Sequence, residues 1–353
     1  MNSTEENPAF LPARGVNISH WLSQRKVAEP RPPSWFSEVD TGFLHDLGFD
    51  HIRLPVDEEI LWDERGARRE EEWDRLHHAL QWCHRHALRV IVDLHIIRAH
   101  HFNAGNQGKS NPLWTSESAR DGLIHLWDLL SDELREYPES EVAYEFMNEP
   151  VAPDPEDWNR LLERVHASIR RREPTRVLVI GSNLWQKVKT VPQLRIPRGD
   201  PNLLVSFHYY EPGPVTHYRS SWTPLKEYDG PVRYPGVPFP AETLPADPSP
   251  GLRKLLEESN RPYDREVIRE EVRAAVEFAR EHGLRAHCGE WGCHLATPAE
   301  VRYRWYEDVV GVFTELGVAW TIWDYKGGFR IVDPTTQEAD QTLLGILLEA
   351  AST

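Results

Sequence analysis

The stretch Val90-Ile91-Val92-Asp93-Leu94 decides the fold, because it is an almost continuous apolar run of strand length. A strand with one face in water alternates polar and apolar residues, whereas a strand covered on both faces is apolar throughout. Strands covered on both faces are typical of parallel sheets flanked by helices. The stretch therefore predicts a buried strand of a parallel sheet, which its neighbours extend to Arg89–His95.

Similar apolar or β-branched runs recur along the chain and alternate with amphipathic stretches. The predicted strands are Gly15–Ser19, His51–Val56, Arg89–His95, Val142–Asn148, Arg176–Gly181, Leu203–Tyr209, Arg285–Glu290 and Ala319–Asp324. The predicted helices are Trp35–Leu47, Glu70–His86, Ser116–Arg135, Pro155–Arg172, Arg261–His282, Pro298–Leu316 and Gln337–Ala350. Eight strands that alternate with helices predict an α/β fold, a closed (β/α)8 TIM barrel that forms a single domain over residues 1–353.

An open, doubly wound sheet is the structural alternative to the barrel. Such a sheet normally carries a glycine-rich phosphate-binding turn after its first strand. The first predicted strand runs instead into Asn17-Ile18-Ser19-His20-Trp21, which contains no glycine. The sequence therefore favours the closed barrel.

A long proline-rich segment, at about residues 211–260, separates the sixth predicted strand from the helix that follows. Glu211–Pro250 alone contains ten prolines and little periodicity. A segment of that length indicates either disorder or a functional loop at the rim of the barrel. Its aromatic residues, among them Tyr218, Trp222 and Tyr228, favour an ordered loop that packs or contacts a ligand.

Composition and charge exclude several classes of partner. The formal net charge of -16 repels phosphate backbones, so nucleic acid is not an expected partner. No run of about 18 apolar residues is present, so no membrane span is expected. Met1–Phe10 lacks the basic start and apolar stretch of a secretion signal, and three cysteines fit no disulfide set or zinc pattern. These features predict a cytoplasmic protein with free thiols.

Ionisable and aromatic residues follow most of the predicted strands, where the chemistry of such barrels is found. Glu149 and Glu290 lie at the ends of the fourth and seventh predicted strands. Hydrolysis of a glycosidic bond needs one protonated carboxyl group and one ionised carboxylate, whose pKa values differ because their surroundings differ. Arg53 and Tyr210 are placed to hold an ionised Glu290, and His208 to orient Glu149. A salt-bridged loop carboxylate explains either glutamate alone, but the pair with its neighbours favours a catalytic site.

Five stretches, taken together and in order, resemble glycoside hydrolase family 5, the cellulase-like retaining glycosidases. They are Gly48-Phe49-Asp50-His51-Ile52-Arg53-Leu54-Pro55, Glu145-Phe146-Met147-Asn148-Glu149-Pro150, His208-Tyr209-Tyr210-Glu211-Pro212, Gly289-Glu290-Trp291-Gly292 and Trp323-Asp324-Tyr325. The second of these is highly specific, and the match runs almost from end to end. The resemblance implies hydrolysis of β-1,4-linked glucan or gluco-oligosaccharides, as in an endoglucanase, by a retaining double displacement.

The same resemblance implies roles for individual residues, with Glu149 as general acid/base and Glu290 as nucleophile. The others would surround the bound sugar: Asn148 at the 2-hydroxyl, Arg53 and Tyr210 at the nucleophile, His208 beside the acid/base, His95 in the same subsite and Trp323 as the stacking floor. Trp114, Trp222 and Trp291 are candidates for further sugar platforms, and packing at the rim is the alternative for each.

The sequence leaves the preferred substrate open. A family relative that acts on β-mannan, β-1,3-glucan or a glycolipid is an alternative within the enzymes. A carbohydrate-binding barrel without catalysis is the alternative from another class, although such a protein needs no carboxylate pair. Endo or exo action, the oligomeric state and the presence of a structural metal also stay open. The expected chemistry requires no cofactor, and no metal-ligating residues are predicted in the site.

Overall fold

Eight parallel strands close into a barrel in chain order, since β1 pairs with both β2 and β8. They are β1 (Arg14–Asn17), β2 (His51–Asp57), β3 (Arg89–Ile96), β4 (Val142–Glu145), β5 (Leu178–Gly181), β6 (Leu203–Tyr209), β7 (Arg285–Trp291) and β8 (Ala319–Ile322). This computed structural model describes residues 10–103 and 111–349. The predicted (β/α)8 barrel is confirmed, although β4 ends at Glu145 and β8 at Ile322, earlier than the sequence pattern indicates.

Helices join the strands and cover the outside of the barrel. The longer ones are Glu38–Asp46, Glu70–Arg85, Glu117–Leu134, Pro155–Arg170, Pro250–Ser259, Arg265–Glu281, Ala299–Leu316 and Gln341–Glu349. Between β5 and β6 the chain forms a 3₁₀ segment, Val188–Gln193, where the other connections have an α-helix. Within residues 10–103 and 111–349, the structure contains no helix with the length and apolar character needed to cross a bilayer.

The proline-rich segment after β6 contains several short helical elements instead of one irregular loop. They are Gly213–Thr216, Pro224–Glu227, Ala241–Thr243 and Pro250–Ser259. Proline suits the first turn of a helix, where no backbone N–H donor is needed, and three of these elements have a proline at their first or second position: Pro214, Pro224 and Pro250. Tyr228 and Phe239 stack with ring centroids 3.8 Å apart, and Tyr234 donates its O–H to Asp308 at 2.7 Å. The segment thus packs on its own aromatic residues and attaches to the helix Ala299–Leu316.

Inward-facing side chains of different polarity fill the barrel. An apolar cluster consists of Phe10, Ile91, Ala143, Val179 and Leu204. His51, the first residue of β2, and His287 each lie 2.8 Å from the hydroxyl of Thr321. Buried charged side chains come further along their strands, at Arg53, Asp93, Glu145 and Glu290.

A bulge in β7 changes which side chains face the interior of the barrel. Phe207 pairs with Cys288 and His208 pairs with Glu290, so Gly289 is left without a partner on β6. Side chains normally alternate between the two faces of a strand, and a bulge shifts this alternation by one residue. A Cβ atom at Gly289 would lie 2.8 Å from the Ser206 hydroxyl oxygen, which explains the glycine. The bulge brings the Glu290 side chain into the interior.

Candidate active site

Arg53 is a fully buried residue at the centre of the carboxyl end of the barrel. Its Nη1 donates to Glu290 Oε1 at 2.8 Å, and its Nε donates to Glu145 Oε2 at 2.6 Å. Its Nη2 donates to Asn148 Oδ1 at 2.9 Å and lies 3.0 Å from Asp93 Oδ2. A guanidinium suits this convergence because it presents five donors in one rigid plane. One cation therefore orients three buried carboxylates, including the predicted nucleophile.

Both carboxylate oxygens of Glu290 are engaged. Tyr210 donates its phenolic O–H to Oε2 at 2.9 Å, while Arg53 binds Oε1. Burial raises the pKa of Glu290, and the charge of Arg53, followed by His95, opposes that rise. Donors on both oxygens stabilise the ionised form and fix its orientation, as attack on an anomeric carbon requires.

Glu149 follows β4 in a left-handed backbone conformation with a φ of 46°, which non-glycine residues rarely adopt. The side-chain oxygen of Gln186 accepts the Glu149 backbone N–H at 2.9 Å. The amide nitrogen of Gln186 donates to Glu145 Oε1 at 3.1 Å, which fixes Gln186 in turn. His208 Nδ1 lies 2.9 Å from Glu149 Oε1. Backbone and side chain of Glu149 are therefore both held over the end of the barrel.

The electrostatic surroundings give the two glutamates different pKa values. Burial raises the pKa of Glu149 well above its ordinary value, and the charge of Glu290 adds to the rise. Glu290 contacts Arg53, whereas the ionisable side chain beside Glu149 in the described structure is His208. Burial lowers the pKa of His208 well below its ordinary value, so this ring is neutral. Glu149 therefore keeps its proton as an acid, and Glu290 loses its proton first.

The two carboxyl groups approach each other closely. One side-chain atom each from Glu149, His208 and Glu290 lies within 4.8 Å of the other two. Retaining glycosidases hold their carboxyl groups roughly 5 to 5.5 Å apart, whereas inverting enzymes leave about 6.5 to 9.5 Å for a water molecule. The approach of one oxygen from each carboxyl group to within 4.8 Å favours the shorter separation, that of retaining enzymes. The same three groups have the spacing of metal ligands, but the hydrogen bonds described above account for their arrangement.

A flat apolar surface lies beside the two carboxyl groups. The Trp323 ring stacks parallel on His95, with centroids 5.7 Å apart and an interplanar angle of 5°. His95 Nδ1 bonds to Asp93 Oδ2 at 2.7 Å, and its buried Nε2 has no partner in the described structure. Asn148 uses Oδ1 for Arg53, which leaves its Nδ2 as a donor. A ring surface with donor and acceptor atoms around it suits a sugar.

One of the predicted sugar platforms, Trp291, lies outside the site. Trp291 is fully buried, and its ring packs edge-on against Phe313 at 5.2 Å, between the barrel and an outer helix. Because the bulge turns Glu290 inward, its neighbour Trp291 faces outward, and the prediction that Trp291 contacts sugar is wrong. Trp114 is half-buried and packs edge-on against His100 at 5.4 Å. Its role as a platform stays a prediction.

Asn17, Glu145 and Gln186 are among the residues of the site to which the sequence assigned no role. Asn17 accepts from Arg53 Nη1 at 3.0 Å and donates to the Gly289 backbone oxygen at 3.0 Å. Glu145 and Gln186 hold Arg53 and Glu149 in place. Glu145 could have been predicted, because it is a charged residue within a buried strand. Gln186 could not, because it lies in a turn that has no periodic sequence pattern.

Two carboxyl groups this close, of which one alone is supported by an arginine, define a retaining glycosidase on a (β/α)8 barrel. The comparison with protein families agrees with this class. The model of the family described as Cellulase (glycosyl hydrolase family 5) matches residues 28–328, and the chain belongs to this family.

The chain is also similar to named relatives over most of its length. It is 27% identical to Endoglucanase C of Acetivibrio thermocellus over 338 residues, which cover 94% of this chain and 97% of that protein. It is 25% identical to Cellodextrinase A of Ruminococcus flavefaciens over 310 residues, which cover 87% and 83%. The solved structure of endoglucanase Cel5A from Thermotoga maritima matches with a TM-score of 0.74 at 22% identity and covers 95% and 96%. This last likeness shows the shared barrel fold.

Proposed function

We propose that the protein is an endo-acting hydrolase of β-1,4-linked glucan that retains the configuration of the anomeric carbon. Glu290 attacks that carbon while Glu149 protonates the leaving oxygen, and a covalent glycosyl-enzyme results. Glu149 then takes a proton from the water that releases the sugar. The observation that carries the proposal is the approach of the Glu149 and Glu290 side-chain atoms to within 4.8 Å.

The groups around the carboxyl pair fit a sugar at the cleavage site. Trp323, whose ring is parallel to that of His95, is the proposed floor for the apolar side of a pyranose ring, and His95 Nε2 is available to accept a hydrogen bond from a hydroxyl. The Asn148 amide suits the 2-hydroxyl, because it is held beside Glu290 by the same Arg53. A hydrogen bond at that position stabilises the transition state more than the ground state.

The relatives named endoglucanases support endo action. The proline-rich segment offers a further aromatic side chain near the end of the barrel. Its Trp222 is 45% exposed, and its ring lies 5.4 Å from the ring of His294 and 6.2 Å from that of Phe329. His294 and Phe329 follow β7 and β8, so this part of the segment lies beside the ends of those two strands.

A β-mannan activity is the second candidate. Cel5A of Thermotoga maritima, a structural neighbour, has been crystallised with cellobiose and also with mannotriose. Glucose and mannose differ in the orientation of the 2-hydroxyl, which would lie at Asn148 in this site. The choice between the two sugars therefore depends on the contacts of one side chain.

A substrate screen with a stereochemical readout tests the proposal. The purified protein is expected to lower the viscosity of soluble carboxymethyl-cellulose faster than it releases reducing ends, and to do so faster than it cleaves β-mannan, β-1,3-glucan or a glycolipid. Proton NMR of the first product is expected to show the β-anomer. A first product with the α-anomer would contradict the role of Glu290, and tight binding without turnover would favour a carbohydrate-binding barrel.

We also propose that the protein works in the cytoplasm on soluble gluco-oligosaccharides. Its three cysteines, Cys83, Cys288 and Cys293, are unpaired and buried, as reducing compartments favour. Cell fractionation with an antibody to the protein tests this, and activity in the culture medium of intact cells would contradict it.

A further inference from the structure

The turn after β1 holds a histidine in an unusual backbone conformation next to the site. His20 has a φ of 57°, in the left-handed region that favours glycine. Arg31 Nε donates to the His20 backbone oxygen at 2.9 Å, and Trp35 Nε1 donates to the Ser19 backbone oxygen at 3.0 Å. Conformations of this kind persist where surrounding contacts hold them, and they are common at ligand sites.

The hydrogen bonds of His20 define which ring nitrogen carries its proton. The Ser19 hydroxyl donates to Asp324 Oδ2, and His20 Nδ1 lies 2.8 Å from the same hydroxyl oxygen. Because the only hydrogen of that hydroxyl is directed to Asp324, its oxygen accepts from His20, and Nδ1 carries the proton. Burial, followed by the charge of Arg31, lowers the pKa of His20 to about 4, so the ring is neutral at pH 7. His20 Nε2 is then an unprotonated acceptor.

His20 lies on the side of the site away from the acid/base. Its ring centroid is 6.3 Å from that of Trp323, and 30% of its side chain is exposed. It follows β1, which lies opposite β5 in the closed ring, whereas Glu149 is bound by Gln186 after β5. The leaving group must lie beside the acid that protonates it. His20 therefore lies beside the part of the chain that becomes the glycosyl-enzyme.

We propose that His20 is a specificity-determining residue that accepts, at Nε2, a hydrogen bond from a hydroxyl of the second sugar on the glycone side. This inference deepens the proposed function and rests on it. The first glycone sugar, above Trp323, already has His95 and Asn148 as hydrogen-bonding partners. His20 is outside that set and is more exposed, so its acceptor is available to the adjoining sugar.

Two substrates of different glycone length test the assignment. His20→Gly removes the ring and suits the left-handed backbone, so the variant is expected to fold. Gln337→Gly is the matched control, because Gln337 has a φ of 59° and lies exposed in a turn after β8. On an aryl β-cellobioside, H20G is expected to lower kcat/KM about tenfold, as for one hydrogen bond, mainly through KM. On an aryl β-glucoside, which fills only the first glycone position, H20G and wild type are expected to agree within about twofold.

Other results would overturn the inference. An equal loss on both aryl substrates would place His20 at the first sugar, and no loss on either would remove it from binding. A wild-type protein that cleaves neither aryl substrate nor carboxymethyl-cellulose would refute the proposed function and this inference with it. Normal wild-type turnover together with an unselective H20G would refute the inference alone. Nitrogen NMR of the wild-type protein is independent of any variant. It is expected to show His20 Nε2 unprotonated near pH 7, and a protonated Nε2 would contradict the acceptor role.

Discussion

Replacing Tyr210 by phenylalanine would remove one hydrogen-bond donor from Glu290 and keep the aromatic ring. The ring retains its edge contacts with His217 at 5.1 Å and Phe329 at 5.9 Å, so packing changes little. The lost bond, from the Tyr210 O–H to Glu290 Oε2, is 2.9 Å long and ends on a carboxylate. Hydrogen bonds to charged groups contribute about 1.5 to 3 kcal/mol, which corresponds to roughly 1 to 2 pKa units.

The sign of the effect follows from the charge state that the bond stabilises. Tyr210 donates to the ionised form of Glu290, so its removal raises the pKa of this carboxyl group. Turnover requires ionised Glu290 and protonated Glu149, so the acid limb of kcat/KM is expected to move upward by about 1 to 2 pH units. The profile of kcat/KM against pH on an aryl β-cellobioside measures this shift. Because the two carboxyl groups interact, the two limbs of the profile report apparent pKa values that belong to the pair and not to either residue.

Tyr209→Phe is the matched control for this experiment. Tyr209 is the adjacent residue, but it faces outward and donates to Glu271 Oε2 at 3.0 Å. The same chemical change there is expected to leave both limbs of the profile in place. An acid limb that stays fixed in Y210F, or that moves to lower pH, would refute the reasoning about the nucleophile.

Further predictions concern the carboxyl pair and the tryptophans. Glu290→Gln is expected to remove nearly all turnover and leave the thermal unfolding transition close to that of wild type; substantial turnover would contradict a nucleophile there. Glu149→Ala is expected to regain rate on activated aryl glycosides when azide is added, and an azide-independent rate would argue against the acid/base role. Trp291→Ala is expected to lower the free energy of unfolding by about 3 to 5 kcal/mol in denaturant titrations, with KM unchanged. Trp323→Ala is expected to raise KM at nearly unchanged stability. If Trp291→Ala raised KM and left stability unchanged, Trp291 would instead be a residue that contacts the sugar.

The barrel could be predicted from the sequence because its strands and helices have strong periodic signals. The apolar run in β3 and the helices around it follow from pattern alone. Ends of strands are less predictable, because the residues beyond β4 stay buried after they leave the sheet. The pattern of buried residues therefore continues to Asn148, although the paired strand ends at Glu145.

The candidate site could be predicted as a set of strand ends, but not in its detailed contacts. Regular alternation from the inward-facing His287 would turn Trp291 inward and Glu290 outward, and the bulge at Gly289 reverses both. No local pattern shows that bulge, because it depends on the register of β6 against β7. The ion pair between Arg53 and Glu145 likewise could not be predicted, because it depends on how strands that are distant in sequence are arranged in the barrel.

The distribution of charge around Arg53 explains why the two glutamates take different roles. One guanidinium contacts Glu290, Glu145 and Asp93, so the buried cluster has fewer positive than negative groups. Burial raises the pKa of Asp93 to about 7 even beside this cation, which shows how weakly the cluster tolerates further negative charge. Glu149 lacks the guanidinium contact and faces the charge of Glu290, so ionisation of Glu149 is the least favourable. A single arginine thus assigns the proton to the acid and the charge to the nucleophile.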